Sequence, residues 1–114
     1  MFLVENNGYS MGTSVTRSSK SGDNFHQRLP GVPGLKIDGM NVFEVQEIAK
    51  FAKSWAIENG PIVLNVKTYR YHGHSMSDPG LSYRSRKEVK QVRKENDPIQ
   101  FAIDFITENG IESE

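Results

Sequence analysis

Short apolar runs and one helical stripe of apolar residues follow one another along the chain, and their order predicts an α/β fold. The runs Phe2–Val4, Leu35–Ile37 and Ile62–Val66 are typical of buried strands. Between the second and third runs, apolar side chains recur every three to four residues, which predicts an amphipathic helix. This helical face consists of Val45, Ile48, Ala49, Ala52, Trp55 and Ala56. The sequence therefore predicts a strand–helix–strand unit with a parallel sheet flanked by helices.

The boundaries of this helix carry capping signals. Asn41 and Glu44 have the three-residue spacing of a capping box, with Asn in place of the usual Ser or Thr. Gly60 follows the last apolar position and suits a left-handed C-terminal cap.

Two more helices are predicted in the last third of the chain. The segment from Arg84 to Glu95 is mostly charged, which is typical of a solvated surface helix. The last helix has Asp97 as N-cap and Pro98 at its first position, and it ends at Asn109. Its predicted apolar side consists of Ile99, Ala102, Ile103 and Ile106.

The remaining N-terminal part, from Asn6 to Pro33, is polar and rich in Gly, Ser, Thr and Asn. A loop of this length without its own secondary structure is usually functional or disordered.

Length and composition limit the architecture and the function. A chain of 114 residues forms one domain at most. Two or three strands cannot complete a covered parallel sheet, and the first strand starts at the initiator methionine. We therefore expect residues 1–114 to be a piece of a longer protein. The 14 basic and 14 acidic residues balance, which argues against general nucleic-acid binding. No apolar run approaches the about 20 residues of a membrane span, and the absence of cysteine excludes thiolate chemistry.

The segment Thr68–Arg84 concentrates residues that can do chemistry. It contains two histidines, three serines and two arginines directly after a predicted buried strand. In α/β proteins, ligands bind at such strand ends. His72 and His74 can ligate a metal, transfer protons or donate to an anion, and Arg70 can hold a phosphate or carboxylate. From residue types alone, a solvated loop with incidental histidines remains open as well.

A second candidate is Glu5–Tyr9. Amide and backbone carbonyl oxygens here are hard ligands that suit Mg²⁺, which binds a few protein oxygens together with phosphate oxygens. An ordinary turn is the alternative reading of Asn6-Asn7-Gly8.

Three segments in this order resemble the C-terminal part of pyruvate dehydrogenase alpha subunits, within the thiamine-diphosphate-dependent 2-oxo acid dehydrogenase family. They are Glu5 to Ser14, Gly34 to Met40 and Thr68 to Arg84. The last segment, with His-Gly-His-Ser-Met-Ser-Asp-Pro-Gly, is the most specific. Branched-chain relatives share its Thr-Tyr-Arg start but have a different loop. The resemblance implies a partial thiamine-diphosphate-binding fold, because the Gly-Asp-Gly half of the family's cofactor motif is absent from these residues.

The resemblance also implies roles for individual residues. Asn7 and the carbonyl of Tyr9 match magnesium ligands. His74 matches the active-site histidine near the cofactor's diphosphate and reacting ring, and Arg70 lies at the foot of the same loop as a further cofactor-binding residue. The regulatory phosphorylation sites of the family match Ser75, Ser82 and Ser14.

The activity that the resemblance implies is decarboxylation of pyruvate on thiamine diphosphate, followed by reductive acetylation of a lipoyl group. The implied partners are a beta subunit in a heterotetramer, the lipoyl domain of the dihydrolipoamide acetyltransferase component, and a regulatory kinase and phosphatase. The implied location is the mitochondrial matrix, with the bacterial cytoplasm as alternative. The 114 residues alone are expected to be inactive. Alternative functions are a branched-chain 2-oxo acid or acetoin dehydrogenase alpha subunit, or a non-catalytic kinase substrate.

Overall fold

The computed structural model describes residues 1–111, which form an α/β fold. In chain order the elements are β1 (Phe2–Asn6), β2 (Tyr9–Ser10), β3 (Thr13–Ser14), α1 (Val15–Ser18), a 3-10 turn (Phe25–Gln27), β4 (Gly34–Asp38), α2 (Val42–Asn59), β5 (Val63–Lys67), α3 (Arg86–Glu95) and α4 (Pro98–Glu108).

The main sheet has the order β1-β5-β4, and both pairs of strands are parallel. The predicted strands and the strand–helix–strand unit β4-α2-β5 are therefore confirmed. Strand β5 lies in the centre of the sheet, with α2 on one face and the 3-10 turn on the other, which explains why its first residues are apolar and buried.

The apolar core lies between α2 and one face of the sheet. Ala52 of α2 packs with Ile62 and Leu64, and all three are buried. Strand side chains alternate between faces, so Val63 and Asn65 lie on the opposite face, next to the 3-10 turn. The Asn65 side-chain nitrogen donates a 2.6 Å hydrogen bond to the Asp23 carbonyl, whereas its buried side-chain oxygen has no partner among residues 1–111.

The caps of α2 follow the predicted pattern only in part. The Asn41 side-chain oxygen accepts hydrogen bonds from the backbone N–H groups of Phe43 and Glu44. The Glu44 carboxylate, however, accepts from the Asp38 N–H and not from Asn41, so the reciprocal half of the capping box is replaced by a bond to the preceding strand. Gly60 has the expected positive φ of 96°, but its ψ of −152° lies outside the left-handed helical region.

The segment 6–33 is more structured than its composition predicts. It contains the antiparallel pair β2-β3, the short helix α1 and the 3-10 turn. Contacts distant in sequence hold it in place. Asn6 and Asn65 both donate to the Asp23 carbonyl, and the Asp23 carboxylate forms an ion pair with Lys36.

The two C-terminal helices require corrections. The third helix begins at Arg86 with Ser85 as N-cap, and Arg84 lies outside it with only 7% of its surface exposed. The last helix has the predicted N-cap Asp97, but it packs through Phe101 and Phe105 against Phe43 of α2. The predicted apolar side does not face α2: Ala102 is half-buried, and Ile99, Ile103 and Ile106 are exposed, while Phe101 and Phe105 themselves keep more than a third of their surface exposed.

Candidate functional site

The N-terminal candidate residues share one turn at the carboxyl end of β1. The Asn7 side-chain oxygen accepts a 3.2 Å hydrogen bond from the Tyr9 N–H, which is the Asx-turn geometry that Asn favours. The Asn6 carbonyl accepts from the Thr68 N–H at the end of β5. The turn is therefore held beside the start of the histidine-containing segment.

Arg70 connects the two candidate regions directly. Its guanidinium donates to the Tyr9 carbonyl at 3.2 Å and to the Ser10 carbonyl at 3.3 Å. The structure thus brings together Asn7, Tyr9 and Arg70, although about 60 residues separate the turn from the arginine.

The segment that follows Arg70 folds around the side chain of Arg84. The Arg84 guanidinium donates to the carbonyls of Gly80 at 2.9 Å, His72 at 2.8 Å and Arg70. Arginine has a rigid fork of five donors, so one buried side chain can satisfy several carbonyls of an irregular loop. Sequence reasoning assigned Arg84 to a solvated helix and missed this role.

Asp78 organises the tip of the same loop. Its carboxylate accepts from the His74 N–H, the Gly80 N–H and the Tyr83 hydroxyl, each at 2.8 Å. The bond from the His74 N–H, then those from Gly80 and Tyr83, hold the pKa of Asp78 below its usual value. The loop is also tightly closed, because a Cβ at Gly73 would lie 1.9 Å from the Asp78 carbonyl.

His72 and His74 are both exposed. The backbone of His74 is fixed by Asp78, and its imidazole makes no hydrogen bond among residues 1–111. Within that range, no three His, Cys, Asp or Glu side chains are grouped as a metal site.

A cluster of aromatic side chains lies under the turn and the loop. The Tyr9 ring is 5.9 Å from the Tyr69 ring and 5.5 Å from the Tyr83 ring. The Arg84 guanidinium carbon lies 4.9 Å from the Tyr9 ring centroid, which is cation–π geometry. The hydroxyls of Tyr9 and Tyr69 both donate to one oxygen of Glu88 on α3. Burial, followed by the bond to Glu88, raises the pKa of Tyr9 and of Tyr69.

The three predicted phosphorylation sites differ in environment. Ser75 and Ser82 are exposed in the loop, and the Ser75 hydroxyl lies 3.0 Å from that of Ser77. Ser14 is half-buried at the N-cap of α1, where its side chain accepts from the Arg17 N–H.

The oxygens at the turn fit part of a magnesium diphosphate site. The Asn7 amide oxygen and the Tyr9 carbonyl are hard, neutral donors, and each accepts one hydrogen bond here, which leaves a second lone pair. Two neutral oxygens hold Mg²⁺ only with further anionic ligands. The adjacent Arg70 guanidinium suits a phosphate anion.

A cleft of about 720 Å³ lies elsewhere, between the carboxyl ends of β4 and β5 and the helices α3 and α4. Its lining includes Asp38, Lys67 and Thr68 but none of the predicted site residues. Within residues 1–111, no helix is long and apolar enough to cross a membrane.

The sequence of the chain also matches a known protein family. The sequence model described as "Dehydrogenase E1 component" matches residues 1–114, which is the whole chain.

Individual relatives agree. The chain is 54% identical over 100 residues to the pyruvate dehydrogenase E1 component subunit alpha-1, mitochondrial, of Arabidopsis thaliana, covering 88% of this chain and 25% of that protein. It is 50% identical over 114 residues to the corresponding subunit alpha of Pisum sativum, covering 100% of this chain and 28% of the relative. The somatic form of Bos taurus is 46% identical over 114 residues, covering 99% and 29%. The chain thus spans less than a third of the length of these relatives.

Proposed function

The chain belongs to the dehydrogenase E1 component family, and on that premise we propose that it contributes to the alpha subunit of a pyruvate dehydrogenase in the mitochondrial matrix. The parent enzyme decarboxylates pyruvate and reductively acetylates a lipoyl group. The observation that carries this proposal is the contact of Arg70 with the carbonyls of Tyr9 and Ser10. That contact joins the two segments whose residues would hold a magnesium diphosphate.

Each residue has a role in this proposal. The Asn7 amide oxygen and the Tyr9 carbonyl would bind Mg²⁺, and Arg70 would neutralise diphosphate charge. Thiamine diphosphate, when bound, supplies the electron sink for decarboxylation. His74 is the acid/base candidate, because its imidazole is exposed and lacks an internal partner while its backbone is fixed at 2.8 Å from Asp78.

Asn7 and Tyr9 supply no negative charge, so anionic metal ligands would come from the diphosphate and from the Gly-Asp-Gly part of the family's motif, which these residues do not include. The partners are proposed from the family to which the chain belongs. We propose that a beta subunit completes the active site in a heterotetramer, and that a lipoyl domain of the acetyltransferase component receives the acetyl group.

We also propose that a kinase and a phosphatase act on Ser75, Ser82 and Ser14. A phosphate on Ser75 would add about 1.5 to 2 negative charges at neutral pH, three residues from the Asp78 carboxylate. Charge repulsion there opposes the bonds by which Asp78 closes the loop. After in vitro phosphorylation, increased protease cleavage between residues 71 and 83 would support this regulation, and an unchanged cleavage pattern would contradict it.

A chimera tests the function. The 114 residues replace the matched segment of the Pisum sativum subunit, which is then produced with a beta subunit. We expect the chimera to bind thiamine diphosphate with Mg²⁺ in calorimetry and to turn over pyruvate in preference to branched-chain 2-oxo acids. The 114 residues alone should bind neither tightly.

Alanine variants of His74 and of the nearby His72 form a test and its matched control. Loss of a general acid/base lowers kcat by about 100-fold to 10,000-fold, so His74→Ala should do so in the chimera. His72→Ala should leave kcat within about threefold, because Arg84 binds only the His72 backbone carbonyl. A wild-type chimera that binds no cofactor, or equal losses in the two variants, would overturn the proposed function.

A further inference from the structure

Glu88 does not use its carboxylate for the role that its sequence position indicates. Ser85 and Glu88 have the spacing of a capping box, in which the acid closes back on the N-cap N–H. In the structure, the Glu88 N–H donates to the Ser85 hydroxyl at 3.1 Å, so half of the cap forms. One carboxylate oxygen of Glu88 instead accepts the hydroxyls of Tyr9 and of Tyr69, the latter at 2.9 Å.

The two tyrosines belong to the two segments that the site must bring together. Tyr9 lies in the turn with Asn7, and Tyr69 directly precedes Arg70. Their rings meet edge to face, with centroids 5.9 Å apart. Glu88, on helix α3, is thus one carboxylate that links the turn after β1, through Tyr9, to the segment after β5, through Tyr69.

Tyr9 is fixed at both ends. Its carbonyl accepts from Arg70, and its hydroxyl donates to Glu88. Between these ends, its ring packs against Tyr83 and Arg84. Because Tyr9 is held at its carbonyl, its ring and its hydroxyl, the residue has little freedom to move. The contacts of the side chain therefore also fix the direction of the Tyr9 carbonyl.

We propose that Glu88 is a positioning residue of the cofactor site, which orients the metal-binding Tyr9 carbonyl and Arg70 through the hydroxyls of Tyr9 and Tyr69. The inference deepens the proposed function and rests on it. Glu88 touches neither metal nor substrate in this role. A tyrosine hydroxyl is protonated at physiological pH even at its ordinary pKa near 10, and burial raises the pKa of both tyrosines further.

The test separates positioning from helix capping. Three variants are made in the chimera. Glu88→Ala removes the acceptor that the two tyrosines share, and Tyr9→Phe removes one of the two donors while every residue of α3 stays unchanged. Ser85→Ala removes only the N-cap side chain of α3. Glu95→Gln, at an exposed position of α3 that contacts Gln91, is the matched control. Readouts are backbone hydrogen exchange, the calorimetric Kd for thiamine diphosphate with Mg²⁺, and kcat at saturating cofactor.

We expect Glu88→Ala and Tyr9→Phe to speed amide exchange about tenfold in residues 8–14 and 68–72, and to raise the cofactor Kd about tenfold. In Glu88→Ala, kcat at saturating cofactor should change less than threefold. Ser85→Ala should speed exchange only in the first turn of α3, and Glu95→Gln should change nothing.

Two results would overturn the inference: an unchanged Kd in Tyr9→Phe and Glu88→Ala, or an equal rise of Kd in Ser85→Ala. If the wild-type chimera binds no cofactor, the proposed function fails by itself. Hydrogen exchange then still decides whether Glu88 holds the two segments, since unchanged exchange in residues 8–14 and 68–72 would refute that link.

Discussion

The apolar layer under α2 and the loop around Arg84 are held by opposite kinds of interaction. In the first, Ala52, Ile62 and Leu64 exclude water without directional bonds. In the second, the buried side chain is a charged arginine that donates to three backbone carbonyls. Apolar burial provides stability over a wide range of conditions, whereas the directional polar contacts specify one loop conformation that a local change of charge can alter.

The largest effect is expected in the apolar layer. Leu64 is 2% exposed in the central strand, so Leu64→Ala removes buried methyl groups and leaves a cavity. Such substitutions lower the free energy of unfolding by about 2–5 kcal/mol. Urea unfolding followed by far-UV circular dichroism measures this loss.

Ile57→Ala is the matched control, because Ile57 lies on the outer side of α2 and is 76% exposed. Its effect should stay within about 0.5 kcal/mol. Equal effects of the two variants would mean that the layer between α2 and the sheet is not the main source of stability.

A smaller, local effect is expected in the loop. Arg84→Met keeps an unbranched side chain but removes three hydrogen bonds to carbonyls. Loss of partners for buried carbonyls costs about 1–3 kcal/mol, which should appear as a lower opening free energy of residues 71–80 in hydrogen exchange. Protection of β5 should persist. Arg86→Met, two residues away and exposed, should leave the loop unchanged, and similar exchange in both variants would refute the role of Arg84.

The same contrast explains what could be predicted from the sequence. The three strands of the main sheet, α2 and the N-caps Asn41 and Asp97 are predicted from the sequence because apolar periodicity and capping are local signals, and the structure confirms them. The short strands β2 and β3 are not predicted, because the polar sequence of this segment shows no apolar alternation. The prediction of which side of α4 packs against the rest of the fold was wrong. Apolar residues such as Ile99 and Phe105 occur on two sides of this helix, so hydrophobicity alone does not identify the packed side. Which of the two faces meets α2 depends on the position of Phe43, a contact distant in sequence.

In the candidate site too, some residues could be predicted from the sequence and others could not. Asn7, Tyr9, Arg70 and His74 were named from motifs, and the structure brings the first three together. Their functional roles stay predictions. Arg84 and Glu88 were missed, because binding of an arginine to loop carbonyls leaves no spacing pattern, and the Ser85–Glu88 spacing has an ordinary capping explanation.

The smallest effect concerns pH and Asp78. Hydrogen bonds from the His74 N–H, the Gly80 N–H and the Tyr83 hydroxyl hold the pKa of this carboxyl below its usual value near 3.8. A group whose folded pKa is depressed contributes stability that is full above the unfolded pKa. That contribution is lost as the pH falls through the lower folded value. We therefore expect the loop to loosen below about pH 4, as read from the backbone amide shifts of His74 and Gly80 between pH 2.5 and pH 6.

Asp78→Asn should remove this dependence, since an amide does not titrate in that range. Asp104→Asn, on the exposed surface of α4, is the control and should keep the transition. If the amides of His74 and Gly80 titrate in Asp78→Asn as in the wild type, another group closes the loop. If only Asp78 matters, one half-buried carboxylate controls the loop that carries His74. The apolar layer under α2 then keeps its structure as the pH falls, because no titrating side chain belongs to that layer's buried cluster.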